Sequence, residues 1–289
     1  MAGGPDGPPD ASAKSRDVAA WDAAFSPALL ARMVVMIGNY RCGTTLFKTT
    51  AVQFGDIHAT PEPMSRFPDA AGPFSFDIFL STVPDAPEAA MLRPAQALRA
   101  YLAWFLERVP HHRVLFDMKY GDLGRLGLTL QHAPVPSILA ELGYWRVPVI
   151  HVQRSAALRE AMSFLVAVRT SRFQNYADGR DGPAPEGSTV YLDPETVIAA
   201  ARRCRAAHAL AAEWLERLEL PHYRVFYEEF RGPARKAVVM RALHASGIWC
   251  EPPATLSEYV LEQRSAERVA NLAEVMDHAR RTAPDLVTA

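Results

Sequence analysis

RMVVMIGNYRCGTTLFKTT, Arg32 to Thr50, is the stretch on which the fold turns. Met33–Ile37 is a continuous apolar run, as expected of a strand covered on both faces of a parallel sheet. It leads into a tight loop, and the loop opens a helix expected over Thr44–Phe54. Gly38 and Gly43 stand five apart, with Thr44 and Thr45 directly after. At such a junction backbone N–H groups and the positive end of the helix surround an anion, and hydroxyls add donors. The spacing is that of a Walker A loop, G-x-x-x-x-G-K-[ST], except that Thr44 stands where the lysine belongs. That lysine reaches the β- and γ-phosphates of a nucleoside triphosphate, so its replacement argues against an ATPase or GTPase. Arg41 and Lys48 supply cations instead, and the loop is expected to hold a phosphate-like group of a different nucleotide. Cys42 reads as a small residue filling the loop.

Outward from this stretch, further apolar runs predict strands at Val114–Met118, Val147–Val152 and Tyr223–Tyr227. Helical periodicity predicts helices at Pro94–Arg108, Ala156–Val168, Pro194–Leu218 and Pro233–Ser246. The third of these has Asp193 as its cap and Pro194 at its first position. Alternation of strands and helices implies an α/β fold, a P-loop-like three-layer arrangement with a mainly parallel sheet flanked by helices. Residues 1–17, rich in Gly, Pro and Asp, read as a disordered tail, and 18–289 as a single domain. The proline-rich Thr60–Arg93 and the Gly- and Pro-rich Ser171–Asp193 show little period and read as long loops, pocket walls or lids.

The chain has 289 residues, 31 Lys+Arg against 32 Asp+Glu, and a formal charge of -1. This balance argues against a nucleic-acid coat protein or a polybasic membrane binder, but leaves room for a small anion held by a few local cations. Cys42, Cys204 and Cys250 are too few and too scattered for a disulfide framework or a zinc site. No apolar run approaches a membrane span, and the N-terminus lacks the apolar core of a secretory signal. A soluble, cytoplasmic protein without a metal is expected.

At Arg41-Cys42-Gly43-Thr44-Thr45-Leu46-Phe47 the chain resembles the sulfotransferases that use 3′-phosphoadenosine-5′-phosphosulfate (PAPS). Their modified P-loop reads roughly [RK]-x-G-[ST]-[ST]-x-[LFW], and it holds the 5′-phosphosulfate. The resemblance gives that role to Arg41, the Cys42–Gly43 backbone, Thr44 and Thr45, with Lys48 as a further cation. In the family a strand ending in Arg and a Ser on the next helix grip the 3′-phosphate. Arg154 and Ser163 match here, nine residues apart. Helical phase sets the apolar stripe at Leu158, Ala161/Met162 and Leu165, which leaves Ser163 off the core face and Arg159 on the same side as Ser163. The order of later elements, with Lys119 ending a strand and VFYEEF near the C-terminus, is similar to the bacterial trehalose- and carbohydrate-sulfotransferase-like branch. Arg264 is a further candidate nucleotide contact.

The resemblance implies sulfuryl transfer from PAPS, as co-substrate, to a hydroxyl of a carbohydrate or secondary metabolite. Such a displacement needs a positioned acceptor, a neutralised leaving group and a base. Lys119 is the candidate for the bridging oxygen or the acceptor. Glu62 matches the acidic position of the trehalose-type members, and His58 offers a side chain whose ordinary pKa suits a base. Two other readings stay open: an atypical P-loop small-molecule kinase, and a non-catalytic nucleotide-binding module. The only partner expected is a small-molecule hydroxyl acceptor, with exposed helical faces compatible with a homodimer.

Overall fold

The computed structural model describes residues 16–65, 72–109, 111, 113–129, 134–170, 189–256 and 268–287. The N-terminal half forms α1 (Val18–Ala24), α2 (Pro27–Leu30), β1 (Met33–Gly38), α3 (Thr44–Ala51), β2 (Ile57–Ala59), α4 (Phe76–Thr82), α5 (Ala86–Leu92), α6 (Pro94–Arg108) and β3 (Arg113–Lys119). Then come α7 (Tyr120–Leu123), β4 (Leu128–Thr129), β5 (Val135–Pro136), α8 (Ser137–Tyr144), β6 (Val149–Gln153) and α9 (Ala157–Thr170). The remainder forms α10 (Pro194–Arg217), β7 (His222–Phe226), α11 (Tyr227–Phe230), α12 (Arg235–Ala245) and α13 (Leu272–Thr282).

Five strands pair in the order β2-β3-β1-β6-β7, and every pairing is parallel. β4 and β5 form a separate antiparallel pair. β1 is central, and all six of its residues are buried. Met33, Val35 and Ile37 enter one core with Val114, Phe116 and the α6 residues Tyr101 and Phe105. Val34 and Met36 enter a second core with Phe47 of α3 and Val239 and Leu243 of α12. This is the period-two alternation of a strand with helices on both faces, and it explains why β1 reads as unbroken apolar sequence. Full burial of a side chain such as Phe47 contributes about 2–3 kcal/mol. A third core joins α9, α10 and α13 through Leu158, Met162, Val197, Ile198 and Val275.

The expected elements are present with shifted ends. The α-helix after the loop stops at Ala51 and finishes in a 3-10 turn at Val52–Phe54. β6 starts at Val149 rather than Val147, because Pro148 has no N–H for a ladder and Val147 N instead donates to Leu142 O, closing α8. β7 stops at Phe226, where Glu229 accepts from the Phe226 N–H and turns the chain into α11. Asp193 caps α10 as expected, accepting from Thr196 N at 2.8 Å. Thr60–Arg93 is not a loop throughout. It contains α4, capped by Ser75, and α5, with Pro87 in its first turn. Prolines there start helices rather than exclude them. At the N-terminus Asp17 caps α1 and Arg16 pairs with Glu107, so these two residues join the fold, and the rest of the expected tail lies outside the described residues. Most of 171–193 and Arg264 also lie outside them. Among the described residues no helix is long and apolar enough to cross a membrane.

In register, Gly38 lies beside Lys119 on one side and Val152 on the other. After β1 the chain builds the β3 side of the sheet, and later crosses to the β6 side. Strand order therefore reverses direction at β1, and the C-terminal ends of β1, β3 and β6 border a crevice. In open α/β sheets ligands collect at such a point.

Candidate functional site

The loop after β1 needs both of its glycines. A Cβ at Gly38 would lie 2.6 Å from Cys42 Sγ and 2.9 Å from Val152 O, and real side chains do not approach so closely. Gly43 has φ +101°, and a Cβ there would collide with the Tyr227 ring. Arg41 also has a positive φ, 67°, a conformation costly to a non-glycine residue unless its surroundings hold it. Gly43 precedes α3 without supplying a side-chain cap, so the first-turn N–H groups face the crevice with no side-chain acceptor from that position. Cys42 is fully buried, and burial pushes its thiol pKa well up. Its side chain is a wall of the loop, and only its backbone can face a ligand.

On the β6 flank the two expected motifs meet. Arg41 Nε donates to Ser163 Oγ at 3.0 Å, and Arg154 Nη1 donates to Arg41 O at 3.3 Å. The Arg154 guanidinium lies over the Tyr227 ring, 4.8 Å from its centroid. Ser163 is buried, at 5% exposure, yet stands off the apolar core face of α9, as its helical phase predicts. It faces the loop, because the polar side of α9 packs on the end of β1. Burial lowers the pKa of Arg41, and the neighbouring charge of Arg154 lowers it further. An anion between two such guanidinium groups would relieve both costs. Arg154 Nε is buried without a hydrogen-bond partner, 3.9 Å from Glu228 Oε1. Glu228 itself accepts from Ser155 N at 3.1 Å and Ala156 N at 3.4 Å, at the start of α9. Arg159 is exposed and lines a cleft of about 380 Å³ with Arg154, Arg231, Glu228 and the apolar Leu158 and Met276.

The β3 flank is differently built. Lys119 Nζ donates to Thr44 Oγ1 at 2.6 Å and to both oxygens of Asp117 at 3.0 Å, and lies 3.2 Å from Glu62 Oε1. Burial opposes its charge, but Asp117 and Glu62 outweigh that and raise its pKa, so Lys119 stays an ammonium. Its charge reaches Thr44, the residue in the Walker-lysine position, from the neighbouring strand. Lys48 does not turn toward the loop mouth as expected. Its ammonium meets Asp117 Oδ2 at 2.6 Å, Thr60 O at 2.9 Å and Pro61 O at 3.2 Å, which occupies its three donors.

Of the two base candidates, only Glu62 belongs to this cluster. His58 pairs in register with Val114, five residues before Lys119, or roughly 16 Å back along the strand at ~3.3 Å per residue. There it stacks on His111, with ring centroids 5.1 Å apart, and burial and then the His111 charge lower its pKa. β2 is too short and set too far back to bring His58 forward.

Three acidic or phenolic groups near the loop escape a reading of the sequence. Asp117 and Lys119 share one face of β3 by the two-residue repeat, the one local signal of a buried ion pair. Asp122, almost fully buried, accepts from Lys119 N at 3.2 Å, and burial pushes its carboxyl up to about 6. Tyr40 rises to about 12, chiefly by burial and then by the charges of Asp122 and Glu62. Among the described residues no group of three or more His, Cys, Asp or Glu is placed to hold a metal ion. The fold and site together define a parallel α/β protein with a cation-rich crevice at the switch point of its sheet. Comparison with known proteins finds no matching family model and no matching curated sequence.

Proposed function

We propose that the chain is a PAPS-dependent sulfotransferase on a P-loop-like fold, acting on a hydroxyl of a carbohydrate or secondary metabolite. One observation carries this reading. Arg41 of the glycine loop, Arg154 at the end of β6 and Ser163 of α9 converge within hydrogen-bonding distance, although they are up to 122 residues apart. The groups fit a nucleotide with two separate anionic ends. The first turn of α3, with Thr44 and Thr45, suits the 5′ end. Arg154, Ser163 and the arginine-lined cleft suit a 3′-phosphate.

PAPS supplies an activated sulfuryl group, and the protein orients and neutralises around it. Arg41 and Lys119 stabilise negative charge that builds on the departing 5′-phosphate. Glu62 accepts the proton of the acceptor hydroxyl as that oxygen bonds to sulfur and the bond from sulfur to the nucleotide breaks. Lys119 Nζ, 3.2 Å from Glu62 Oε1, holds that carboxylate at the end of β3, beside the loop.

A second reading, an atypical P-loop small-molecule kinase, has one specific observation in its favour. Lys119 brings an ammonium to Thr44, where a triphosphate-binding loop carries its own lysine. Calorimetry separates the two. The sulfotransferase reading expects tight, magnesium-independent binding of 3′-phosphoadenosine-5′-phosphate and far weaker binding of AMP. Equal affinity for AMP sinks it, and magnesium-dependent ATP binding selects the kinase.

A further inference from the structure

A buried chain of polar side chains runs behind the loop, and the reaction above does not use it. Glu160 of α9 is fully buried. Its Oε1 accepts from Asn39 Nδ2 at 2.7 Å, and its Oε2 lies 2.9 Å from His208 Nε2 of α10. His208 Nδ1 is 2.7 Å from the Tyr120 hydroxyl, which is 2.6 Å from His151 Nε2 of β6. Burial and then the charge of Glu160 raise the pKa of the neighbouring Cys204 thiol. Asn39 is the first loop residue after Gly38, and its Oδ1 accepts from Tyr40 N at 2.9 Å.

The protons follow from donor and acceptor inventory. A carboxylate only accepts, so Asn39 Nδ2 and His208 Nε2 both donate to Glu160. His151 Nδ1 is buried without a partner, and a bare acceptor there costs less than an orphaned donor. Burial holds this ring neutral, with its pKa down at about 3. With Glu160 accepting, His208 donates from Nε2 and accepts at Nδ1 from Tyr120, whose oxygen lies 2.6 Å from His151 Nε2, and Gln153 Nε2 stands 3.3 Å from that same ring nitrogen. From Tyr120 onward the hydrogen bonds point one way, toward a carboxylate whose other oxygen holds the loop.

We propose that Glu160 is a positioning residue for the loop, acting through Asn39. The relay orients the carboxylate, the carboxylate fixes the Asn39 amide, and Asn39 fixes the Tyr40 N–H at the entry to the strained turn at Arg41. The role rests on the reading that this loop holds the nucleotide.

A reciprocal exchange tests it. Asn39→Asp sets two carboxylates face to face. Glu160→Gln either opposes two amide donors or reverses the relay and orphans an N–H on His151. In the double variant the introduced glutamine donates to the introduced aspartate and still accepts from His208, so the relay keeps its direction and Tyr40 N keeps its acceptor. Each single variant is expected to weaken 3′-phosphoadenosine-5′-phosphate binding at least roughly tenfold, with the double returning to within about threefold of wild type. Backbone amide shifts of Tyr40–Thr44 in the ligand-free protein should move in the singles and return in the double. Single variants that bind like wild type, or a double no better than the worse single, overturn the proposal. If the wild type itself binds no such nucleotide, the functional reading fails, and the amide shifts alone decide the positioning role by the same comparison. If the charged exchanges do not fold, Asn39→Ala removes the link without burying a charge. Unmoved loop amides in that variant overturn the role.

Discussion

The two flanks of the Gly43 loop carry the same number of cations and treat them in opposite ways. On the β3 flank Lys48 and Lys119 meet Asp117 and Glu62 at 3.2 Å or less. On the β6 flank the carboxylate that pairs with Arg154 among the described residues is Glu228. It stands 3.9 Å from Arg154 and directs its oxygens to the backbone at the start of α9. A neutralised cluster holds geometry and handles a proton, whereas a guanidinium whose carboxylate turns its oxygens to the backbone keeps donors for an anion. That contrast matches the division of labour in the proposed reaction. It also follows side-chain chemistry: guanidinium groups stack and bind phosphates bidentately, while an ammonium acts as a compact charge.

Four substitutions break or sharpen this contrast. Arg41→Ala removes the loop cation of the arginine flank. Transfer is expected to fall about 100- to 1000-fold. Near-wild-type turnover would refute the role. Lys119→Met strikes the neutralised flank, takes the ammonium from Glu62 and leaves Asp117 with Lys48 alone. It should cost about 3 kcal/mol, or roughly 6–12 °C in Tm, as well as transfer, and an unchanged Tm would show that the cluster does not hold the site.

Asp122→Asn probes the same flank through pH. The Asp122 carboxyl sits at about 6 in the folded protein against 3.8 when unperturbed. The native state therefore binds more protons than the unfolded state between these values, and stability falls as pH rises through that window. Removing the charge while keeping the acceptor for Lys119 N should flatten this part of the stability profile and add about 1–2 kcal/mol at pH 7. Parallel profiles for variant and wild type would contradict it. The smallest effect is expected for Glu228→Gln. With the carboxylate beside Arg154 neutralised, the arginine flank should bind 3′-phosphoadenosine-5′-phosphate about threefold to fivefold tighter, most clearly at low salt. Unchanged affinity would mean that Glu228 does not compete with the ligand.

Much of the frame was legible because it is written in local patterns. The apolar run Met33–Ile37, the five-residue glycine spacing and the Asp193-Pro194 helix start each carry their reason within a few residues. Other features were not legible. β2 has three residues, too few for an alternation to register. The proline content of Thr60–Arg93 hid α4 and α5, since proline both breaks helices and begins them. Helical phase put Ser163 off the apolar stripe but did not show the burial it gains by facing the loop. Lys48 was misassigned because nothing local marks Asp117, a charge inside an apolar strand, as its partner.

By itself the sequence determined the strand–loop–helix unit, the alternating α/β class and the residue types that gather at the sheet's carboxyl ends. These depend on periodicity and on the backbone limits of glycine and proline, which act over a few residues. The tertiary structure alone decided which cations are neutralised, which candidate base stands beside Lys119, and that Glu160 reaches the loop. Those outcomes depend on parallel register. It aligns Gly38 with Lys119 and Val152, and so joins side chains that lie far apart along the chain.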